Sequence, residues 1–164
     1  FLVALVDRLI QDFGIDRGRV FATGMSAGAF MANRLACERA DVVAAIAPIA
    51  GTLGTAFPCA PSRPVSVLEI HGTADQVVPF NGGPMLGRGG PSDIVAAPAL
   101  AQRWRELDGC SAPVEDSPAP AVHRFTASGC ADGTEVAFVQ VDGGGHTWLD
   151  ASTASAQFFA THGR

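Results

Sequence analysis

A chain of 164 residues, 48% hydrophobic and 16% charged, can bury one sizeable core and has the composition of a folded domain, not of a disordered segment. Its net charge of −5 and pI near 5.2 argue against a nucleic-acid or anionic-membrane partner. All 11 basic residues are arginine, which removes a P-loop lysine, a Schiff-base lysine and a Ser–Lys dyad together.

In chain order, residues 1–13 place Leu2, Leu5, Val6, Leu9, Ile10 and Phe13 on one helical face, and Gly14 ends that helix. The helix opens at Phe1 without a cap, and Asp7 and Arg8 break any signal-peptide pattern, so Phe1 is expected to be a truncation point. Residues 19–25 form a short apolar strand and residues 27–39 a helix with small residues on its inner face. The continuous apolar run 42–50 reads as a strand buried on both faces; with Pro48 inside it, it is too short to span a membrane.

A proline-rich loop, 55–64, leads to a buried strand, 65–70, that ends in His71-Gly72. The glycine- and proline-rich stretch 81–92 is expected to be an exposed, mobile loop, with a composition that suits the border of a substrate entrance and any solvated loop alike. Asp93 is placed to cap a helix running to Leu107, with Ile94, Ala97, Leu100, Ala101, Trp104 and Leu107 inward. Strands 122–127 and 135–141 follow, joined by a turn at 129–133, and a helix over 153–162 closes the chain. Apolar strands alternating with helices predict a single α/β domain whose mostly parallel sheet carries helices on both faces. In such sheets chemistry sits beyond the carboxyl ends of the strands.

Three residues occupy such positions. Gly24-Met25-Ser26-Ala27-Gly28 matches G-x-S-x-G, a modest signal alone in a chain with 19 glycines. A strand before it and a helix after it supply the context of a nucleophile elbow. There the serine turn is strained, Gly24 and Gly28 are expected where a Cβ would clash, and the Ala27 backbone N–H is the expected oxyanion donor. A serine hydroxyl needs a base within reach. Of the four histidines, His146 follows Gly143-Gly144-Gly145 directly after a strand, whereas His71 reads as structural, His123 lies within a strand and His162 in the last helix. Asp75, just past the strand 65–70, can orient that imidazole and stabilise its charged form. Ser26, Asp75 and His146 come in the order of an α/β-hydrolase triad, each after its own strand. Met25 and Trp148 are candidate substrate contacts, Trp148 being equally suited to covering the core.

Cys37, Cys59, Cys110 and Cys130 form no CxxC pair and have no histidine at zinc-site spacing, so no metal site is expected; they are either buried thiols or disulfides.

The segments GRVFATGMSAGAFMANRLAC, AAIAPIAG, HGTADQVVPFNGG and GGGHTW resemble the extracellular polyhydroxybutyrate depolymerase and feruloyl esterase family of carbohydrate-esterase-like α/β-hydrolases. The resemblance covers almost the whole chain. It implies an α/β-hydrolase fold, the triad Ser26, Asp75 and His146, secretion, and disulfides Cys37–Cys59 and Cys110–Cys130. Such family members carry strands ahead of the first helix, including the loop that supplies a second oxyanion donor. The expectation is therefore a partial domain lacking its N-terminal strands, weakly active or inactive on its own.

The implied function is a serine carboxylic-ester hydrolase that acts through an acyl-enzyme on a small-molecule or polymeric ester. No metal or organic cofactor, nucleic acid or membrane span is expected. Two other readings stand beside it. One is a prolyl-oligopeptidase-type serine peptidase, which shares an HGTxD-like segment; the other is a catalytically inactive binding module on the same fold.

Overall fold

The computed structural model describes residues 1–87 and 89–164. Helix α1 (Leu2–Phe13) leads through a short 3-10 turn, Arg17–Arg19, into strand β1 (Phe21–Met25) and helix α2 (Ala27–Glu38). Strands β2 (Ala45–Ile49) and β3 (Ser66–Gly72) follow, then a two-stranded hairpin of β4 (Gly83–Gly87) and β5 (Gly90–Ile94). Helix α3 (Ala97–Leu107), strands β6 (Val114–Ala119), β7 (Val122–Ala127) and β8 (Val136–Val141), and helix α4 (Ala151–Thr161) complete the chain.

Six strands form one mixed sheet in the order β1-β2-β3-β8-β7-β6. β1, β2, β3 and β8 run parallel, while β7 and β6 turn back antiparallel. This is a mixed α/β architecture with a mostly parallel sheet. β2 and β3 are buried along their whole length, as their unbroken apolar runs require of strands covered on both faces. One face packs Val67 and Val136 against Leu100 and Trp104 of α3 and Ala32 and Ala36 of α2. The other packs Leu68, Ile70 and Ala137 beneath Ala151 and Phe158 of α4. A buried polar link ties α2 to α3: the Trp104 indole donates to Asn33 Oδ1 at 3.1 Å, and Asn33 Nδ2 donates to the Ala29 carbonyl. The small residues on the inner face of α2 let it lie close to β1 and β2.

Several expectations need correction. The stretch 81–92 is not a loop: apart from residue 88, which lies outside the described residues, it builds the β4–β5 hairpin. Asp93 does not cap α3. It sits in β5 opposite Pro84, and α3 begins at Ala97 with Pro98 in its first turn, where a missing N–H costs nothing. Ile94 is buried, but in a strand, and Leu107 is 38% exposed at the helix end. Strand β6 was not anticipated. In α1 the apolar face is incompletely covered: Val3 and Val6 reach the core, while Leu2, Leu5 and Phe13 are exposed. Among the described residues no helix is long and apolar enough to cross a membrane.

Both disulfides are formed, Cys37–Cys59 and Cys110–Cys130. The first ties the end of α2 to the loop before β3. The second ties the segment after α3 to the turn between β7 and β8.

Candidate active site

The parallel register brings the carboxyl ends of β1, β2, β3 and β8 to one edge, with Met25 opposite Ile49, Ile49 opposite Ile70 and Ile70 opposite Val139. Ser26, Asp75 and His146 all lie on connections leaving that edge.

Ser26 is the hinge between β1 and α2, with φ 55° and ψ −118°, a conformation that L-residues rarely adopt. Its own N–H is held by the Ile49 carbonyl at 2.9 Å, and its carbonyl receives the Ala29 and Phe30 N–H groups of the first helical turn. The amides of Ala27 and Gly28 precede the point where helical bonding starts, so they face outward at a helix N-terminus suited to negative charge. The sharp turn is possible because Gly24 has no side chain: a Cβ there would lie 2.8 Å from the Gly28 backbone. The expectation for Gly28 itself is not met, since a Cβ added there meets nothing within 4 Å. Gly51 is a close-approach position that was not foreseen, where a Cβ would lie 2.8 Å from the Ser26 carbonyl oxygen.

Asp75 and His146 are brought together by two interlaced loops. The Thr73 N–H donates to the Val141 carbonyl, the Ala74 N–H to the Gly144 carbonyl, and the Gly143 N–H to Thr73 Oγ1 at 2.9 Å. Gly72 and Gly144 touch so closely that a Cβ on Gly72 would run into the Gly144 carbonyl. On this frame His146 Nδ1 donates to Asp75 Oδ2 at 2.8 Å. Asp75 Oδ1 accepts from the Val77 and Val78 N–H groups, both at 2.9 Å, so its carboxylate is fully engaged although only 5% exposed. A carboxylate has no proton to give in this arrangement. Nδ1 of His146 is therefore the donor of this bond, which leaves Nε2 for another partner. The Ser26 hydroxyl makes no hydrogen bond to His146 among the described residues; the two share the sheet edge.

Beside Ser26 opens a cleft of about 640 Å³ lined by Met25, Ala27, Phe30, Val77, Met85 and Leu86, with Gly87 and Ser92 at its rim. Met25 was anticipated, and the stretch 81–92, considered for the border of a substrate entrance, supplies Met85 and Leu86; Phe30, on the outer side of α2, and Val77, beyond β3, were not anticipated. Trp148 lies elsewhere, packed on the α4 side of the sheet with its indole donating to Ser152 Oγ at 2.8 Å. His123 is at the surface between Glu115 and Asp142, and His162, just past α4, stacks on Phe158. Among the described residues no group of three or more His, Cys, Asp or Glu side chains could hold a metal ion.

No protein-family profile matches the chain. Individual proteins do. The chain is 33% identical over 138 residues to feruloyl esterase B of Piromyces equi, covering 80% of this chain and 25% of that protein. It is 31% identical over 163 residues to the putative esterase NocK of Nocardia uniformis subsp. tsuyamanensis (90% and 47%), and 35% identical over 124 residues to a probable feruloyl esterase C of Aspergillus niger (70% and 45%). The chain thus spans half or less of the length of these relatives. Its fold matches that of an acetyl xylan esterase from Aspergillus awamori, with a TM-score of 0.70 over 97% of this chain and 65% of that one, at 17% identity. Over most of its own length the chain is thus similar to feruloyl esterases and to an esterase of a second organism group, and in fold to a carbohydrate esterase.

Proposed function

We propose that this chain is the catalytic part of a secreted serine carboxylic-ester hydrolase with an α/β-hydrolase fold. The observation that carries the reading is the 2.8 Å His146–Asp75 pair held on interlaced loops at the same sheet edge as the strained Ser26. In the proposed cycle His146 Nε2 takes the Ser26 proton as Oγ attacks the ester carbonyl, and the Ala27 N–H receives the developing oxyanion. The imidazolium, steadied by Asp75, protonates the departing alcohol. Water then repeats the sequence on the acyl-serine and returns free enzyme and acid.

The cleft supports an apolar acyl group: Phe30, Met25, Val77, Met85 and Leu86 offer apolar and aromatic surface with few polar atoms to satisfy. Feruloyl esters, the substrates for which the relatives are named, fit that surface, and a 3-hydroxybutyrate polyester presents the same ester with an aliphatic chain. The two disulfides support an oxidising, extracellular setting.

The test uses the full-length protein with methyl ferulate, p-nitrophenyl acetate, a hydroxybutyrate polyester and a peptide anilide. Ester hydrolysis is expected, with Ser26→Ala and His146→Ala each lowering kcat by about 10³-fold or more. A fluorophosphonate probe should label the wild type and not Ser26→Ala. Full ester turnover by Ser26→Ala would sink the reading, and preference for the anilide would replace esterase with peptidase.

A further inference from the structure

His71 is the last apolar-face position of β3 before Gly72, is fully buried, and is not one of the three residues assigned to the cycle above. Its Nε2 lies 3.0 Å from the Val78 carbonyl oxygen and 3.5 Å from Asp75 Oδ2, the oxygen that His146 engages. A carbonyl only accepts, so Nε2 carries the ring proton. Burial pushes the ring below the usual histidine range, which keeps it neutral; its Nδ1 is then bare and has no partner among the described residues.

These contacts close a circuit. His71 Nε2–H donates to the Val78 carbonyl, the Val78 N–H donates to Asp75 Oδ1, and Asp75 Oδ2 accepts from His146. The segment so fixed also carries Val77, a wall of the cleft, and leads to Phe80, whose ring meets the edge of His71 with centroids 5.9 Å apart. Without the Nε2 donor, the Asp75–Val78 turn keeps its own hydrogen bonds and the backbone bonds at its start, but its far end loses the side-chain bond that ties Val78 to β3.

We propose that His71 is a positioning residue for the reaction, fixing the Asp75 carboxylate toward His146 by holding the Val78 carbonyl with its Nε2–H. This rests on the triad reading. Its effect on turnover passes through carboxylate placement, where an error near 1 Å costs about a hundredfold in rate.

The position of the donor gives the test. Glutamine can set its Nε2 where the imidazole Nε2 stands; asparagine falls short of it, and leucine fills space without donating. In the full-length enzyme, His71→Gln is expected to keep kcat within about threefold of wild type. His71→Leu and His71→Asn should each lose about 10- to 100-fold in kcat, with a smaller change in KM for a short ester. The low-field proton resonance of the His146–Asp75 hydrogen bond should stay in place in His71→Gln and shift or vanish in the other two. Nitrogen-15 spectra of the wild type should show His71 neutral and protonated on Nε2.

Folded His71→Leu with wild-type kcat and an unmoved resonance would overturn the proposal, as would equal losses in all three variants. If His71→Leu and His71→Asn fail to fold, the wild-type spectrum decides: a proton on Nδ1 overturns it, and a proton on Nε2 with an active His71→Gln sustains it. Ser26→Ala separates the two levels. Retained activity there refutes the triad itself, whereas lost activity there beside a fully active His71→Leu refutes only the role of His71.

Discussion

Every residue of β2 and β3, in the parallel part of the sheet, is buried, whereas every residue of β6, at the antiparallel edge, is exposed. Ser26, Asp75 and His146 leave β1, β3 and β8, all in the parallel part. Of these strands β3 and β8 are gripped by neighbours on both sides, and β1, at the end of the sheet order, is held by β2 and packed under α2, so the loops at their ends inherit fixed anchors. The antiparallel part is an apron of paired surface polar groups, the ion pair of Arg124 with Asp116 and the contact of His123 with Glu115. The contrast teaches that precision is concentrated where burial is complete, and that a change of one methyl group should matter far more at one end of the sheet than a whole side chain at the other.

The largest effect is expected where the two loops cross. Gly72→Ala drives a methyl into the Gly144 carbonyl, and neither partner is a flexible side chain that could yield. Either the loops separate, taking His146 from Asp75, or the strand ends bend. Activity should fall by about a hundredfold or more, and stability by about 2–4 kcal/mol. Ester kinetics together with urea unfolding check this; a fully active, equally stable Gly72→Ala would show that the loops are not rigidly laced.

Next come the disulfides. They span nearly equal separations, 22 and 20 residues, so the chain-entropy contribution of each is similar, about 3 kcal/mol. They differ in surroundings: Cys37 and Cys59 are both buried in the core under α2 and α3, while Cys110 is only partly buried at its edge. The double variant Cys37→Ala/Cys59→Ala should therefore lose about 1 kcal/mol more than Cys110→Ala/Cys130→Ala, because it also removes packed atoms. Denaturant midpoints of the two double variants decide, and the reverse order would contradict the contrast between the two parts of the sheet.

What the sequence disclosed follows the same division. The GMSAG elbow, Asp75 and the GGGH loop were legible because apolar strands flank them and their order is distinctive. The β4–β5 hairpin was not: glycine and proline at 83, 84, 87, 90 and 91 hide any alternation, and its pairing depends on partners such as Pro84 with Asp93. Asp93 offers good capping chemistry, but strand pairing and a hydrogen bond from the Thr55 N–H to its carbonyl hold it extended. β6, Val-Glu-Asp-Ser-Pro-Ala, has no apolar face at all and becomes a strand only by lying against β7. His71 could be placed at a strand end from sequence, but its approach to Asp75 is a tertiary fact. The cleft wall draws on α2, the loop after β3 and the hairpin together, an assembly that no single stretch of sequence displays.

A third expected effect comes from carboxyls trapped beneath α3. Burial raises Asp108 to about 7, against a smaller opposing pull from the Val65 backbone, and holds Glu69 well above the carboxylate range despite the charge of Arg105. Among the described residues the Glu69 oxygens have no hydrogen-bond partner, and the Val65 backbone is the one group opposing the burial of Asp108. In the unfolded chain these groups ionise near 4, so between there and pH 7 the folded state binds more protons than the unfolded one. Asp108 thus contributes stability that is fully present below pH 4 and is lost as pH rises through about 7. Wild type should lose about 1–3 kcal/mol from this group between pH 4.5 and 8, and Asp108→Asn should flatten that part of the slope. Urea unfolding at the two pH values measures it; an Asp108→Asn slope equal to wild type would place the titration elsewhere.

The smallest effect belongs to the exposed edge. Arg124 makes a two-pronged contact with Asp116, with Nε at 2.8 Å and Nη2 at 2.7 Å, across the β6–β7 ladder. Both side chains are 46% exposed, so water and salt screen the attraction, and ordering two flexible side chains offsets much of what remains. Arg124→Ala should cost about 0.2–1 kcal/mol, less at 0.5 M salt than at low salt, and leave ester turnover unchanged. Because the residue sits opposite Val139 of β8, one strand from the parallel part, it is a strict test of the contrast. If Arg124→Ala weakened catalysis, the antiparallel edge would be steering the His146 loop through β8, and the two parts of the sheet would be coupled rather than divided.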